Sequence, residues 1–219
     1  MKKANTSGIA ALAVIALAMA APGFSQDQRV EINPFFGYSF SDGVTIDPLV
    51  AGGEVWDTVD VKDGYSFGFH AGVFVTENAE VGFLWSRQDS TLAGDGTSAT
   101  DFTNMSVYNY HAVFTYNFGE SEAQARPFIF GGLGATQYSP EDAMGVSFDG
   151  ETQFSGTWGA GVKVYPGSNV GFSMMARWTP TYIKSDPAGY WCGFYGCYVV
   201  GDTQYANQFE LSGGVSFRF

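Results

Sequence analysis

The sequence predicts an all-β protein: an eight-stranded antiparallel transmembrane up-and-down β-barrel. Three observations lead there. Eight stretches carry apolar side chains at every second position, the period of a strand with two unlike faces. The connections between them alternate between short and long, as the two rims of a membrane barrel require. The composition pairs 29 Gly with 20 Phe, 12 Tyr and 5 Trp but only 10 Lys plus Arg, which suits strands with small interior and large exterior positions.

Residues 1–25 read as an export signal and residues 26–219 as the barrel. Lys2 and Lys3 form a charged start, residues 9–21 an apolar run, and Pro22, Gly23 and Ser25 a small-residue exit. That run falls short of the roughly 20 residues a membrane-spanning helix needs. Cleavage after Ala20 and cleavage after Ser25 both fit. No Cys lies near either site, which argues against a lipid-anchored start.

The eight strands follow in order. Residues 30–40 set Val30, Ile32, Phe36, Tyr38 and Phe40 against Glu31, Asn33, Gly37 and Ser39. Residues 65–75 set Tyr65, Phe67, Phe69, Ala71, Val73 and Val75 against Ser66, Gly68, His70 and Gly72. Residues 80–88 oppose Val81, Phe83 and Trp85 to Glu80, Gly82 and Ser86, and residues 106–118 align Tyr108, Tyr110, Ala112, Phe114, Tyr116 and Phe118. Residues 127–138 are ambiguous, because Phe128 and Phe130 share a parity with Gly132 and Gly134. Residues 154–165 resume the pattern through Trp158, Ala160, Val162 and Val164, and residues 170–182 through Phe172, Met174, Ala176 and Trp178. Residues 207–219 close it with Phe209, Leu211, Val215, Phe217 and Phe219. Short turns are expected at 76–79, 119–126 and 166–169, and long loops at 41–63, 89–105, 139–151 and 183–206.

Alternation alone leaves open which face is inside. A secreted lipocalin-like barrel turns its apolar face inward and shows water a surface rich in charge. Here the polar face is mostly Gly, Ser, Thr and Asn, which suits a narrow lumen. The apolar face carries Tyr38, Tyr65, Trp85, Tyr108 and Trp178 at the loop end and Tyr116, Phe118, Phe217 and Phe219 at the turn end, as a lipid-facing girdle does.

Three runs carry a family resemblance: R-P-F-I-F-G-G-L-G-A-T-Q-Y at 126–138, G-T-W-G-A-G-V-K-V-Y at 156–165 and G-G-V-S-F-R-F at 213–219. The chain resembles the small eight-stranded outer-membrane barrels, the OmpA-type N-terminal barrel and its stand-alone relatives. The resemblance implies a monomer in the outer membrane of a Gram-negative bacterium, in contact with outer-membrane lipid and lipopolysaccharide. It also implies that Phe217 and Phe219 form the assembly signal read by the barrel-assembly machinery. OmpA adds a peptidoglycan-binding domain after its barrel, whereas this sequence ends at the barrel, so wall anchoring is not expected.

Without Lys2 and Lys3 the net charge of −12 becomes −14, and the four long loops hold −13 of it, from fifteen acidic residues and two Lys. Mutual repulsion of solvated surface loops accounts for this. Divalent-cation bridging to lipopolysaccharide through Asp57, Asp60 and Asp63 is the sharper reading, although their spacing matches no calcium motif. A basic patch is lacking, so no nucleic-acid partner is expected.

The lumen parity gathers Arg29, Glu31, His70, Glu80, His111, Lys163, Arg177, Glu210 and Arg218 into a polar network, with Glu31–Arg218 and Glu210–Arg177 as expected pairs, since buried charges persist only when paired. Arg87 instead continues the lipid-facing parity at the loop end, where it snorkels or meets lipid phosphates. Cys192 and Cys197, in C-G-F-Y-G-C, are expected to form a disulfide in an exported protein. The Phe194–Tyr195 tip between them is the candidate contact for a surface ligand, or lies on the lipid. No catalytic residue, metal centre or cofactor is expected. The function these features predict is structural or surface-interacting. A narrow porin-like channel for small solutes and a loop-based adhesin or host-factor binder are the alternatives.

Overall fold

The computed structural model describes residues 30–41, 44–51, 54–94, 100–121, 123–141, 151–166, 169–183, 190–193, 196–199 and 204–219. Among these the chain forms twelve strands: β1 (Val30–Ser41), β2 (Val44–Ala51), β3 (Glu54–Val61), β4 (Gly64–Phe74), β5 (Ala79–Gly94), β6 (Thr100–Asn117), β7 (Ala125–Glu141), β8 (Glu151–Val164), β9 (Val170–Ile183), β10 (Tyr190–Gly193), β11 (Gly196–Val199) and β12 (Gln204–Arg218). Eight of them pair antiparallel around a closed ring, β1-β4-β5-β6-β7-β8-β9-β12 and back to β1. Closure removes every free edge from the wall, the condition for a sheet to cross lipid. Its seam is finished by the last residue, because Val30 and Phe219 exchange backbone hydrogen bonds of 3.1 and 2.9 Å.

The faces are sorted in the reverse of a soluble barrel. On β1 Glu31 is 0% exposed while Phe36, five residues on, is 59% exposed. Tyr65, Phe114, Leu133, Phe154, Phe172 and Leu211 stand on the outer wall like Phe36, and the Gly, Ser, Thr and charged positions between them face in. The outer aromatic rings pack on one another, with Tyr38 5.5 Å from Tyr65 and Tyr116 5.1 Å from Phe118.

The ambiguous strand resolves through its neighbour. Phe128 and Phe130 of β7 point into the lumen and lie on Gly161 and Gly159 of β8, where an added Cβ would stand 2.6 and 2.5 Å from the rings. Large side chains on one strand meet bare backbone on the next, so a narrow interior fills without strain.

Two of the ladders are interrupted at a proline. Between β1 and β12 the register skips Asn33 and Pro34, and between β8 and β9 it skips Gly156 and Thr157 opposite Thr179 and Pro180. Proline has no amide hydrogen to offer a ladder.

At the loop end the strands outrun the expected boundaries. β5 continues to Gly94, β6 begins at Thr100, β7 ends at Glu141 and β12 begins at Gln204. The loops expected at 41–63 and 183–206 hold hairpins: β2–β3, whose second strand pairs with the end of β5 (Val59↔Gly94), and β10–β11, which lies beside β2.

Candidate functional site

Three layers fill the lumen. At the turn end β1, β5, β8 and β12 bring Glu31, Glu80, Lys163 and Arg218 together. Lys163 forms ion pairs with Glu31 and, at 3.3 Å, with Glu80, and Arg218 reaches Glu31 at 3.3 Å. The Tyr165 hydroxyl donates to Glu31 at 2.7 Å, and His70 stands 3.6 Å from Glu80. Arg126 lies at the same end, fully buried, and donates to the Glu77 carbonyl at 3.0 Å. Space here is tight: a Cβ on Gly72 would fall 2.2 Å from the Glu80 carboxylate.

Toward the loop end a second network forms. Arg177 of β9 donates to Glu210 of β12 at 2.6 Å and to Ser86 of β5 at 2.8 Å. Asn109 bridges Ser86 and Gln208 at 3.3 Å each, Gln208 donates to Gln88 at 2.8 Å, and the Thr136 hydroxyl donates to Asn109 at 2.7 Å and shares a hydrogen bond of 2.9 Å with Ser155.

Between the two lies an apolar layer of Phe35, Leu84, Val113, Phe128, Phe130 and Met175, buried as one cluster. The charges of each network rest on it from opposite sides, Lys163 5.1 Å from the Phe128 ring and Arg177 5.8 Å from the Phe35 ring. An ion moving along the axis would have to leave its polar partners and cross this layer, a desolvation of several kcal/mol or more.

Of the lumen residues expected from the sequence, Glu31, His70, Glu80, His111, Lys163, Arg177, Glu210 and Arg218 are all buried inside the ring. Arg29 lies outside the described residues. Parity reading missed Arg126 and the whole apolar layer. For Arg126 the signal was its even-number spacing from Phe128 and Phe130, unusable while the inner face of β7 was undecided.

His111 and Ser155 are 2.9 Å apart, the spacing of a base and a nucleophile. Both are sealed from solvent, and His111 Nδ1 has no hydrogen-bond partner among the described residues to orient the ring. Ser155 also hydrogen-bonds the Thr136 hydroxyl, so the pair belongs to the hydroxyl network of the upper lumen. Among the described residues no group of three His, Cys, Asp or Glu side chains converges as metal ligands would. Asp63 instead accepts from the Ser41 amide at 3.1 Å, and the side chains of Asp57 and Asp60 lie outside the described residues.

On the outer wall Phe217 is 38% and Phe219 70% exposed, both facing away from the lumen. Arg87 also faces out, bonded to Asp89 at 2.7 Å. In the β10–β11 hairpin the register sets Cys192 opposite Cys197, with Gly193 opposite Gly196. Phe194, Tyr195, the side chains of both cysteines and residues 1–25, where a leader is expected, lie outside the described residues.

Residues 9–219 match the model of the family described as outer membrane protein beta-barrel domain. Over 88% of its length the chain is similar to the crystal structure of Neisserial surface protein A (NspA), with a TM-score of 0.57, 17% identity and 97% of that chain covered. Over 87% it is similar to the outer membrane protein OprG from Pseudomonas aeruginosa, with a TM-score of 0.59, 12% identity and 95% of that chain covered. At these identities the likeness is one of fold. No curated protein sequence matches.

Proposed function

This chain belongs to the outer-membrane β-barrel domain family and resides in the outer membrane of a Gram-negative bacterium; from that premise we propose that it is a non-conducting barrel with a structural and surface-interacting role. One observation carries the reading: the apolar layer of Phe35, Leu84, Val113, Phe128, Phe130 and Met175 between two ion-paired networks. With the lumen filled, the parts left to meet the surroundings are the outer wall and the loop end.

At the loop end we assign surface contact to the β10–β11 hairpin. Directly opposed residues of an antiparallel pair have Cβ atoms about 4.5 to 5.5 Å apart, within reach of the approach a disulfide makes. Cys192 and Cys197 hold such positions, so a bridge between them would present the Phe194–Tyr195 tip on a stiff stem. The acidic loops around it disfavour anionic partners and favour cationic ones, or divalent cations shared with lipopolysaccharide.

Planar-bilayer recording tests the main claim. The purified barrel should give no discrete conductance steps in salt solution. Reproducible unitary steps, absent from a control without protein, would restore the porin-like alternative.

A further inference from the structure

We propose that Arg87 is a binding point for the phosphate of an outer-leaflet lipid. The inference rests on the family's outer-membrane placement and is independent of whether the lumen conducts. Arg87 continues the outward parity of Val81, Phe83 and Trp85 on β5, and its ladder neighbours are Phe67 of β4 and Tyr108 of β6. The apolar wall ends at this level. Two residues below, the Trp85 ring packs on Phe67 and Phe69 at 5.9 and 5.8 Å, while two residues above, the Asp89 side chain is 58% exposed. Arg87, with a third of its side chain exposed, spans the boundary.

Its head is held in place. Nε donates to Asp89 Oδ1 at 2.7 Å, Nη2 donates to Ser106 Oγ at 3.2 Å, Ser106 in turn donates to Asp89 at 3.3 Å, and the guanidinium sits 5.3 Å from the centre of the Tyr108 ring. A snorkelling side chain needs none of this, because water alone satisfies it. Among the described residues the other cations are lumenal (Arg126, Lys163, Arg177, Arg218) or, as with Lys62, in the connection above the wall. The outer wall therefore carries a single described cation, fixed at the aromatic belt where lipid headgroups begin. A guanidinium has five N–H donors in a planar fork, matches phosphate bidentately and can serve a carboxylate as well. In this arrangement Asp89 orients the fork and also competes with the phosphate for it.

That competition separates a binding role from a structural one. The full mature barrel in zwitterionic detergent with EDTA, which removes cation bridges, would be mixed with bisphosphorylated lipid A, and retained lipid counted by native mass spectrometry. Wild type should retain it, and Arg87→Gln should bind about tenfold more weakly, the loss of one charge-assisted hydrogen bond. Arg87→Lys should fall between them, and Asp89→Asn should bind at least as tightly as wild type. Dephosphorylated lipid A should be held no better by wild type than by Arg87→Gln. The proposal is overturned if Arg87→Gln retains lipid A like wild type, if removing the phosphates changes nothing, or if Asp89→Asn weakens binding as much as Arg87→Gln. Displacement of the lipid by inorganic phosphate would overturn it too, as the mark of a site for free anions.

Discussion

Glu31→Ala is the substitution that tests the lumen most directly. Glu31 is fully buried and faces Lys163, Arg218 and the Tyr165 hydroxyl at once. The three partners would not lose equally. Lys163 keeps Glu80 at 3.3 Å, whereas among the described residues Glu31 is the one carboxylate in ion-pair reach of Arg218. Removing one member of a buried pair costs about 3 to 5 kcal/mol, because the other charge stays buried without compensation. Arg218 still rests 4.1 Å over the Tyr165 ring, which places the expected cost toward the lower end. Equilibrium urea unfolding in phosphatidylcholine vesicles, followed by Trp fluorescence, measures it. A double-mutant cycle with Arg218→Met should show a coupling of about 2 kcal/mol or more. The cycle with Lys163→Met should show less, since Glu80 stands in for the lost carboxylate. A coupling with Arg218 within about 0.5 kcal/mol of zero would refute the account of the network.

Two further outcomes are expected. An epitope inserted between β5 and β6 should be reachable by antibody on intact cells and one inserted between β6 and β7 should not, since the long connections are outside; equal labelling would overturn the orientation. Changing Cys192→Ser and Cys197→Ser together would remove the proposed bridge, a ring closure of about 2 kcal/mol in the entropy model. The heat-modifiable migration of the barrel on gels should not change while loop-dependent binding weakens, and loss of the folded band would make the bridge structural.

Much of the wall was legible residue by residue. On β1 the alternation of Ile32, Phe36 and Tyr38 with Glu31, Gly37 and Ser39 already separates lipid from lumen. The first and last strands of a closed ring lie side by side with their turn ends level, and β9 and β12 are neighbours, which is why Glu31 with Arg218 and Arg177 with Glu210 were foreseeable pairs; both are adjacent in the ladders. β7 was not legible. Phe128 and Ile129 are both apolar on opposite faces, and only packing of the Phe128 and Phe130 rings on Gly161 and Gly159 chooses between them. The hairpins β2–β3 and β10–β11 were hidden for a different reason: both fall inside stretches read as long loops, and what makes them strands is backbone pairing of short segments, Val50 with Val55 and Cys192 with Cys197.

By itself the sequence determined the class of the protein, its two faces and its two rims, because lipid outside and a narrow lumen inside impose opposite chemistry on alternate residues of every strand. Which lumen side chains touch across the axis was decided only by the closed ring. Lys163 on β8 meets Glu31 on β1 and Glu80 on β5 across the axis, contacts set by barrel diameter and stagger and not by position along any one strand. The apolar layer has the same origin. Phe35, Leu84, Val113 and Met175 each look like single exceptions to a polar face until closure brings them together with Phe128 and Phe130 as one buried apolar cluster.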